Sequence, residues 1–186
     1  MRAFWESLRR DRRGAAMAEL AAAMPLLVLL LLGGIEVSRF ALLNQRVDRL
    51  ATTMGDLVAQ ADTLTASDLD KLFLAAEHIA WPFPVKTQAV IIISSISIPP
   101  APAPPVPKIT WQRASTGGIS AVSQIGSVGA TPTLPNGLTV TGSSTLIVSE
   151  VYFDFVPMFV GQLMSPHRIY HRGFFRPRVG SLTSLS

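Results

Sequence analysis

The sequence predicts an α+β protein: a single long N-terminal transmembrane helix that continues, outside the membrane, into a domain with a second helix and a small antiparallel sheet. Residues 20–35 carry no charged side chain, and with residues 15–18 in front they reach the roughly 20 residues that a helix needs to cross a bilayer. Residues 37–61 then repeat apolar positions at a helical period. After Pro84 the chain is rich in β-branched residues, which favour strands. A length of 186 residues, 48% of them hydrophobic, fits one such domain and one membrane segment.

Basic residues are concentrated at the start of the chain. Five of the 16 Lys and Arg residues lie within residues 1–14, opposed there by two acids, so the remaining chain is close to neutral. The basic balance therefore does not indicate a nucleic-acid partner, since no basic stripe interleaved with aromatic residues follows. Clustered arginines before an apolar helix stay in the cytoplasm. We predict a basic cytoplasmic leader over residues 1–14, an anchor in a bacterial inner membrane, and a periplasmic α+β domain over residues 62–186.

A cleaved secretory signal is the rival interpretation of this pattern, because it also places an apolar core after basic residues. A short polar stretch with small residues at the cut would follow such a core, whereas GGIEVSRFALLNQ continues as an amphipathic helix. We therefore predict a retained helix over residues 15–61, embedded over about residues 15–36 and periplasmic over residues 37–61. Glu36 and Arg39, of opposite charge and on one helix face, mark its outer boundary.

Glu19 is a carboxylate near the start of the apolar segment, where a charge is costly and usually marks function. A basic leader, a small residue at Gly14, a carboxylate five residues later and an apolar helix together resemble the processing site of type IV prepilins and pseudopilins. The resemblance implies cleavage between Gly14 and Ala15, and contact of Glu19 with the freed amine of a neighbouring subunit. The alternative is that Glu19 reaches the lipid headgroups from the first helical turn, at the positive end of the helix dipole.

Pro25 lies within the same apolar helix, where it removes a backbone hydrogen bond and bends the axis. Helices that span a bilayer tolerate such a kink better than soluble helices do. A bend that helps the helix to pack into a filament and an ordinary tolerated kink both remain open.

A second helix is predicted from the segment TLTASDLDKLFLAAEHIAW. Ser67 is the expected N-cap, and Asp68 and Asp70 complement the helix dipole in the first turn. The expected core face consists of Leu69, Leu72, Phe73, Ala76 and Ile79. The following WPFP ends the helix.

The remainder of the chain is predicted to form strands separated by two unusual loops. A Pro-rich loop over residues 99–107 cannot pair inside a sheet, and a Gly/Ser/Thr-rich loop over residues 115–135 has few bulky residues and is expected to have conformational freedom. The predicted strands cover residues 86–98, 108–114 and 144–159, with a short fourth strand in the tail from residue 167.

Two acids on the third strand, Glu150 and Asp154, project from one face, and we expect them to form structural ion pairs with arginines of the tail: Arg172, Arg176 or Arg178. The alternative, an acid and base pair of a hydrolase, lacks any nucleophile motif or phosphate loop beside it. The chain has no cysteine, and the pair His167 and His171 is accompanied by no carboxylate ligand. The sequence therefore predicts no enzyme, cofactor or metal site.

The resemblance extends beyond the leader. RRGAAMAELAAAMPLLVLLLLGGIEVSRF, VDRLATTMGDLVAQ, VSEVYFDFVPMF and FFRPR, in this order, resemble the TadE/TadF-like minor pseudopilins of tight-adherence (Flp-type IV) pilus systems. This implies a pilin-like fold, processing by a prepilin peptidase, a place in the inner membrane or pilus, and hetero-oligomeric partners among other pilins, pseudopilins and assembly components. The alternative function is a signal-anchored periplasmic binding or adaptor module that enters no pilus.

Overall fold

The computed structural model describes residues 13–100, 105–135, 137–142, 144–159, 161 and 166–185. The described residues form three helices and a four-stranded antiparallel sheet, which confirms the predicted α+β class. The helices are α1 (Arg13–Ala59), α2 (Ala66–Ala80) and α3 (Val85–Gln88), and the strands are β1 (Ala89–Ser97), β2 (Lys108–Ala114), β3 (Leu146–Phe155) and β4 (His167–Phe175). Residues 1–12 of the predicted leader and residues 101–104 of the Pro-rich loop lie outside the described residues.

The chain divides into two compact units. The first unit combines Met1–Phe40 with the segment Pro157–Ser165, and the second combines Ala41–Val156 with Pro166–Ser186.

Helix α1 is described from Arg13 and ends at Ala59, two residues before the predicted end. In the second unit its apolar residues recur every three or four positions, so they share one face, and this face is fully buried. Its members are Leu43, Val47, Leu50, Met54 and Val58.

Helix α2 begins after Thr65, so the prediction of Ser67 as the N-cap was wrong. The Thr65 hydroxyl accepts a hydrogen bond from the Asp68 N–H at 3.1 Å, and the Asp68 carboxylate accepts one from the Thr65 N–H at 3.3 Å. This reciprocal capping box needs an acid three residues after the cap, and both Thr65 and Ser67 have one. Asp70, the acid that would serve Ser67, contacts Arg113 of β2 instead. The bonds to Thr65 lower the pKa of the Asp68 carboxyl, because they favour its charged form.

The strands pair in the order β2-β1-β3-β4. The second strand has the predicted limits, whereas the first is shorter because residues 85–88 form helix α3. The third ends at Phe155 rather than residue 159, and the fourth is a full strand of nine residues. The core of the second unit therefore rests on a sheet whose two central strands are almost wholly buried on both faces.

Helices cover the sheet face that carries Ser149 and Phe153. Phe83, which follows α2, packs edge-on against Phe153 with ring centroids 6.3 Å apart. The close approach of α1 to β3 and β4 depends on Gly55, because a Cβ atom there would overlap the Phe175 ring and lie 3.3 Å from the Ser149 Cβ.

The Gly/Ser/Thr-rich segment covers the opposite face of the sheet. Its few apolar residues, with Val140 beyond it, pack against Ile96, Ile109 and Leu146 in one core cluster that contains Ile125. Gln112 donates to the Gly126 carbonyl at 3.1 Å and to the Ser94 hydroxyl at 2.9 Å. The segment, whose residues 115–135 are all described, contains no helix or strand. It was expected to have conformational freedom, but it is packed on the sheet, because a few apolar residues fill the space that the small residues leave.

Residues 178–182 connect three parts of the second unit. The Arg178 N–H donates to the carbonyl of Ala59, the last residue of α1, at 2.9 Å. The carbonyl of the buried Leu182 accepts from the Trp111 indole at 2.9 Å and from the Ser95 hydroxyl at 2.8 Å. These contacts satisfy one orphan carbonyl of the helix end and two buried donors of the sheet.

Candidate functional site: the amino-terminal part of helix α1

The first part of α1 presents apolar side chains that the described chain leaves uncovered. Leu26, Leu30 and Leu31 are each 60–64% exposed. Within the described residues, α1 is the one helix long and apolar enough to cross a membrane, with a mean hydropathy of 2.3 over an 18-residue window of which 6% is buried. So large an apolar surface requires lipid or another protein to cover it, and it is consistent with a single-pass membrane anchor.

The predicted processing and contact residues lie in the first described turns of this helix. Gly14, Ala15 and Glu19 are all exposed. No hydrogen bond or ion pair to Glu19 is present among the residues that the structure describes, whereas each of the two buried glutamates, Glu36 and Glu150, has several donors. Within the described chain, the helix therefore offers an uncompensated carboxylate on an apolar surface.

Pro25 lies inside α1, and the helix continues through it. Because proline has no N–H, the carbonyl of Ala21 loses its usual partner there. The apolar segment thus contains a locally weakened turn.

Glu36 forms the predicted pair with Arg39, at 2.9 Å between Oε1 and Nη1. The structure adds a second role that the sequence did not reveal: Oε2 accepts hydrogen bonds from the backbone N–H groups of Met158 and Phe159, at 2.9 Å each. The side chain is 2% exposed, so its charge is compensated by three donors. The one sequence signal for this second role was the position of Glu36 at the end of an apolar segment. A carboxylate there has more acceptor sites than Arg39 alone can satisfy.

The prediction that Glu150 forms an ion pair with the arginines of the tail was wrong. Glu150 is fully buried and accepts hydrogen bonds from the Ser123 hydroxyl, from the Gln124 N–H at 2.9 Å and from the Tyr170 hydroxyl at 2.8 Å. The packed loop supplies neutral donors, and Arg172, its partner in strand register, lies 5.4 Å over the ring of Phe174 instead.

The charge of Glu150 also affects its two tyrosine neighbours. Burial and the nearby carboxylate raise the pKa of Tyr152 to about 12 and also raise the pKa of Tyr170. Both phenols therefore stay protonated and remain hydrogen-bond donors at neutral pH. The cluster binds the loop to the sheet and has the character of a structural site.

Asp154 is paired, but not with the predicted arginines. It forms a bidentate contact of 2.6 and 2.8 Å with Arg168, directly opposite on β4, which lowers the pKa of Asp154. Arg178 pairs instead with Asp56 of α1 at 2.9 Å, and Arg176 is exposed and has no ion pair among the described residues. Strand register decides these partners, because it places Arg168 beside Asp154 and directs the residues after β4 toward the end of α1.

The two histidines of β4 lie in different environments. His171 contacts Asn44 Oδ1 at 2.9 Å and Asp48 Oδ1 at 3.2 Å, both on α1, while His167 lies at the exposed start of the strand. Within the described part of the chain, no group of three or more His, Asp or Glu residues is placed to hold a metal ion.

A cleft of about 280 Å³ lies between α2, α3 and β1, lined by Phe73, Glu77 and Lys86 among others. At its rim, Arg113 makes a bidentate contact with Asp70, from Nε to Oδ1 at 3.2 Å and from Nη2 to Oδ2 at 2.8 Å. The lining of the cleft mixes apolar side chains with charged and hydroxyl groups, as a small binding surface does, and the described side chains offer no nucleophile beside a base.

Comparison with known proteins places the family resemblance in this part of the chain. Residues 14–54 match the family model described as TadE-like protein. No curated protein and no solved structure matches the chain. The match confirms the resemblance over the segment that carries Gly14, Ala15 and Glu19, and it points to tight-adherence pilus systems and to association with pilus assembly components at a membrane.

Proposed function

We propose that this TadE-like protein is a minor pseudopilin of a tight-adherence pilus, anchored in the bacterial inner membrane with its N-terminus in the cytoplasm and its α+β domain in the periplasm. A prepilin peptidase cleaves it between Gly14 and Ala15. It acts without catalysis, by packing α1 against the helices of other pilins or pseudopilins.

One observation supports this proposal most strongly. The uncovered apolar surface of α1 follows Gly14, carries Glu19 without a partner among the described residues, and lies within the segment that matches the family model. A membrane anchor alone requires the apolar surface but gives no reason for a carboxylate in the first turns.

A neighbouring subunit supplies that reason. Cleavage after Gly14 creates an ammonium group at Ala15. This group lies at the same end of the helix as Glu19, so it can meet the carboxylate of a neighbouring copy or partner. In a helix bundle of low dielectric the two opposite charges attract strongly, whereas either charge alone is costly to bury. The pair would fix how far one helix is shifted along its neighbour.

The mature N-terminus tests the proposal. We expect mass spectrometry of the native protein, isolated from cells that possess the prepilin peptidase, to find a chain that begins at Ala15. A peptidase-deficient strain, in which the chain should retain Met1, is the control. An intact Met1 in peptidase-containing cells, or a cut beyond Gly34, would contradict the proposal and favour the anchored binding or adaptor module, for which the cleft beside Lys86 is the available surface.

A further inference from the structure

We infer that the turn after β3, at Met158 and Phe159, is a second membrane contact, which lies in the headgroup region of the outer leaflet beside α1. The inference rests on the proposed insertion of α1 in the membrane. It adds to that proposal a lipid-facing surface outside the helix.

The turn is attached to α1 at the level where the apolar segment ends. Glu36 follows the last residue of that segment, Ile35, and its Oε2 accepts both turn N–H groups at 2.9 Å. Two backbone bonds to a single carboxylate oxygen leave little freedom for the turn to move along the helix axis. The turn and the helix segment up to Phe40 belong to the same compact unit.

The side chains at this level are apolar and uncovered. Met158 is 66% exposed and Phe159 46% exposed, although their backbones are held by a buried carboxylate. On the helix, Ile35 and Val37 flank Glu36 and are 38% and 65% exposed. A turn that faces water normally exposes polar side chains and buries apolar ones. Here the polar side chain of Glu36 is buried and the apolar side chains are exposed.

The bilayer interface is the occupant that fits these contacts. Irregular backbone is costly near hydrocarbon because its N–H groups lack water, and Glu36 removes this cost for two of them. Arg39 donates to the other oxygen of Glu36 at 2.9 Å, which places a guanidinium at the same boundary, and a membrane helix tolerates long basic side chains near its ends because they reach the interface. An aromatic and a flexible thioether side chain both suit the interface.

Single-cysteine labelling tests the inference directly, because the chain has no native cysteine. A nitroxide at Met158→Cys is measured in the full chain reconstituted into phosphatidylcholine and phosphatidylglycerol vesicles, by its collision rates with oxygen and with a water-soluble nickel chelate. Leu29→Cys, 54% exposed on α1, is the membrane reference, and Val122→Cys, 84% exposed on the second unit, is the water reference.

We expect the ratio of oxygen to nickel collision rates at residue 158 to exceed that at residue 122 several-fold and to lie below that at residue 29. A ratio equal to that at residue 122 would overturn the inference, and so would low collision rates with both reagents, which indicate a protein cover. A water-like ratio at residue 29 would instead contradict the insertion of α1 and hence the proposed function.

A second variant tests the role of Glu36. Combined with Met158→Cys, Glu36→Ala should lower the ratio at residue 158 toward the value at residue 122, while the ratio at residue 29 stays unchanged. The fluorescence of the buried Trp111, with Trp5 and Trp81 replaced by Phe, shows whether the second unit is still folded. A membrane-like ratio at residue 158 that survives Glu36→Ala would exclude this carboxylate as the anchor of the turn.

Discussion

The two ends of α1 place the same residue types in opposite environments. Leu30 is 64% exposed and Leu50 is fully buried, although both belong to one continuous helix. Beyond Phe40, polar residues alternate with the buried apolar stripe, so the helix has a face for the sheet and a face for water. Before residue 36 the apolar residues surround the helix. Composition therefore identifies the part of the helix that needs an external cover, whereas periodicity identifies the part that the chain covers itself.

Truncation of one leucine at each end of α1 should show the largest difference between the two environments in the free energy of unfolding. We expect Leu50→Ala to lower the free energy of unfolding of the second unit by about 2–5 kcal/mol, because it leaves a cavity under the sheet. Leu30→Ala, the matched control, should leave it unchanged within about 0.5 kcal/mol. Urea unfolding in detergent, followed by Trp111 fluorescence in the same tryptophan background as above, measures both. Equal losses in the two variants would contradict the comparison.

Glycines provide a second matched pair. Gly55→Leu should destabilise the second unit by about 1–3 kcal/mol, since its side chain must displace the Phe175 ring. At Gly33 a Cβ atom would meet no described atom within 4 Å outside the adjoining helix backbone, so Gly33→Leu should have no effect on the same unfolding transition. A stable Gly55→Leu variant would show that the contact between α1 and β4 is looser than its geometry indicates.

Substitution of Glu19 is expected to have the smallest effect on the free energy of unfolding and the largest effect on pilus assembly. Glu19→Leu removes a carboxylate that has no partner in the described chain, so the unfolding free energy and membrane insertion should be unchanged while pilus assembly is lost. Glu77→Leu, the same change at an exposed residue of α2, should leave assembly intact. Pilus counts by electron microscopy and membrane fractionation test this. Normal pili with Glu19→Leu would remove any role for the proposed contact.

Local signals were sufficient to predict most of the fold. Apolar period and length predicted the end of α1 within two residues, and the alternation in KITWQRA predicted both limits of β2. The N-cap of α2 was missed because Thr65 and Ser67 are both good caps with an aspartate three residues later. The contact that occupies Asp70 comes from Arg113, which is distant in sequence, so no local signal distinguishes the two caps.

The partners of charged side chains were much harder to predict. Glu36 and Glu150 are both compensated by backbone N–H donors of irregular segments, which lie far from them in sequence. Because every residue except proline has a backbone N–H, the composition does not show which ones will serve as donors. Prediction from the sequence therefore pairs a carboxylate with an arginine instead. The pairing of Asp154 with Arg168 depends in the same way on a strand register that the sequence does not specify.

The contacts of residues 178–182 bear on how shortened or tagged forms of this protein should be made. Removal of the chain from Arg178 onward would leave the Ala59 carbonyl without its donor and the Trp111 indole and Ser95 hydroxyl without their acceptor. An affinity tag is therefore better joined beyond residue 182 than in place of residues 178–182.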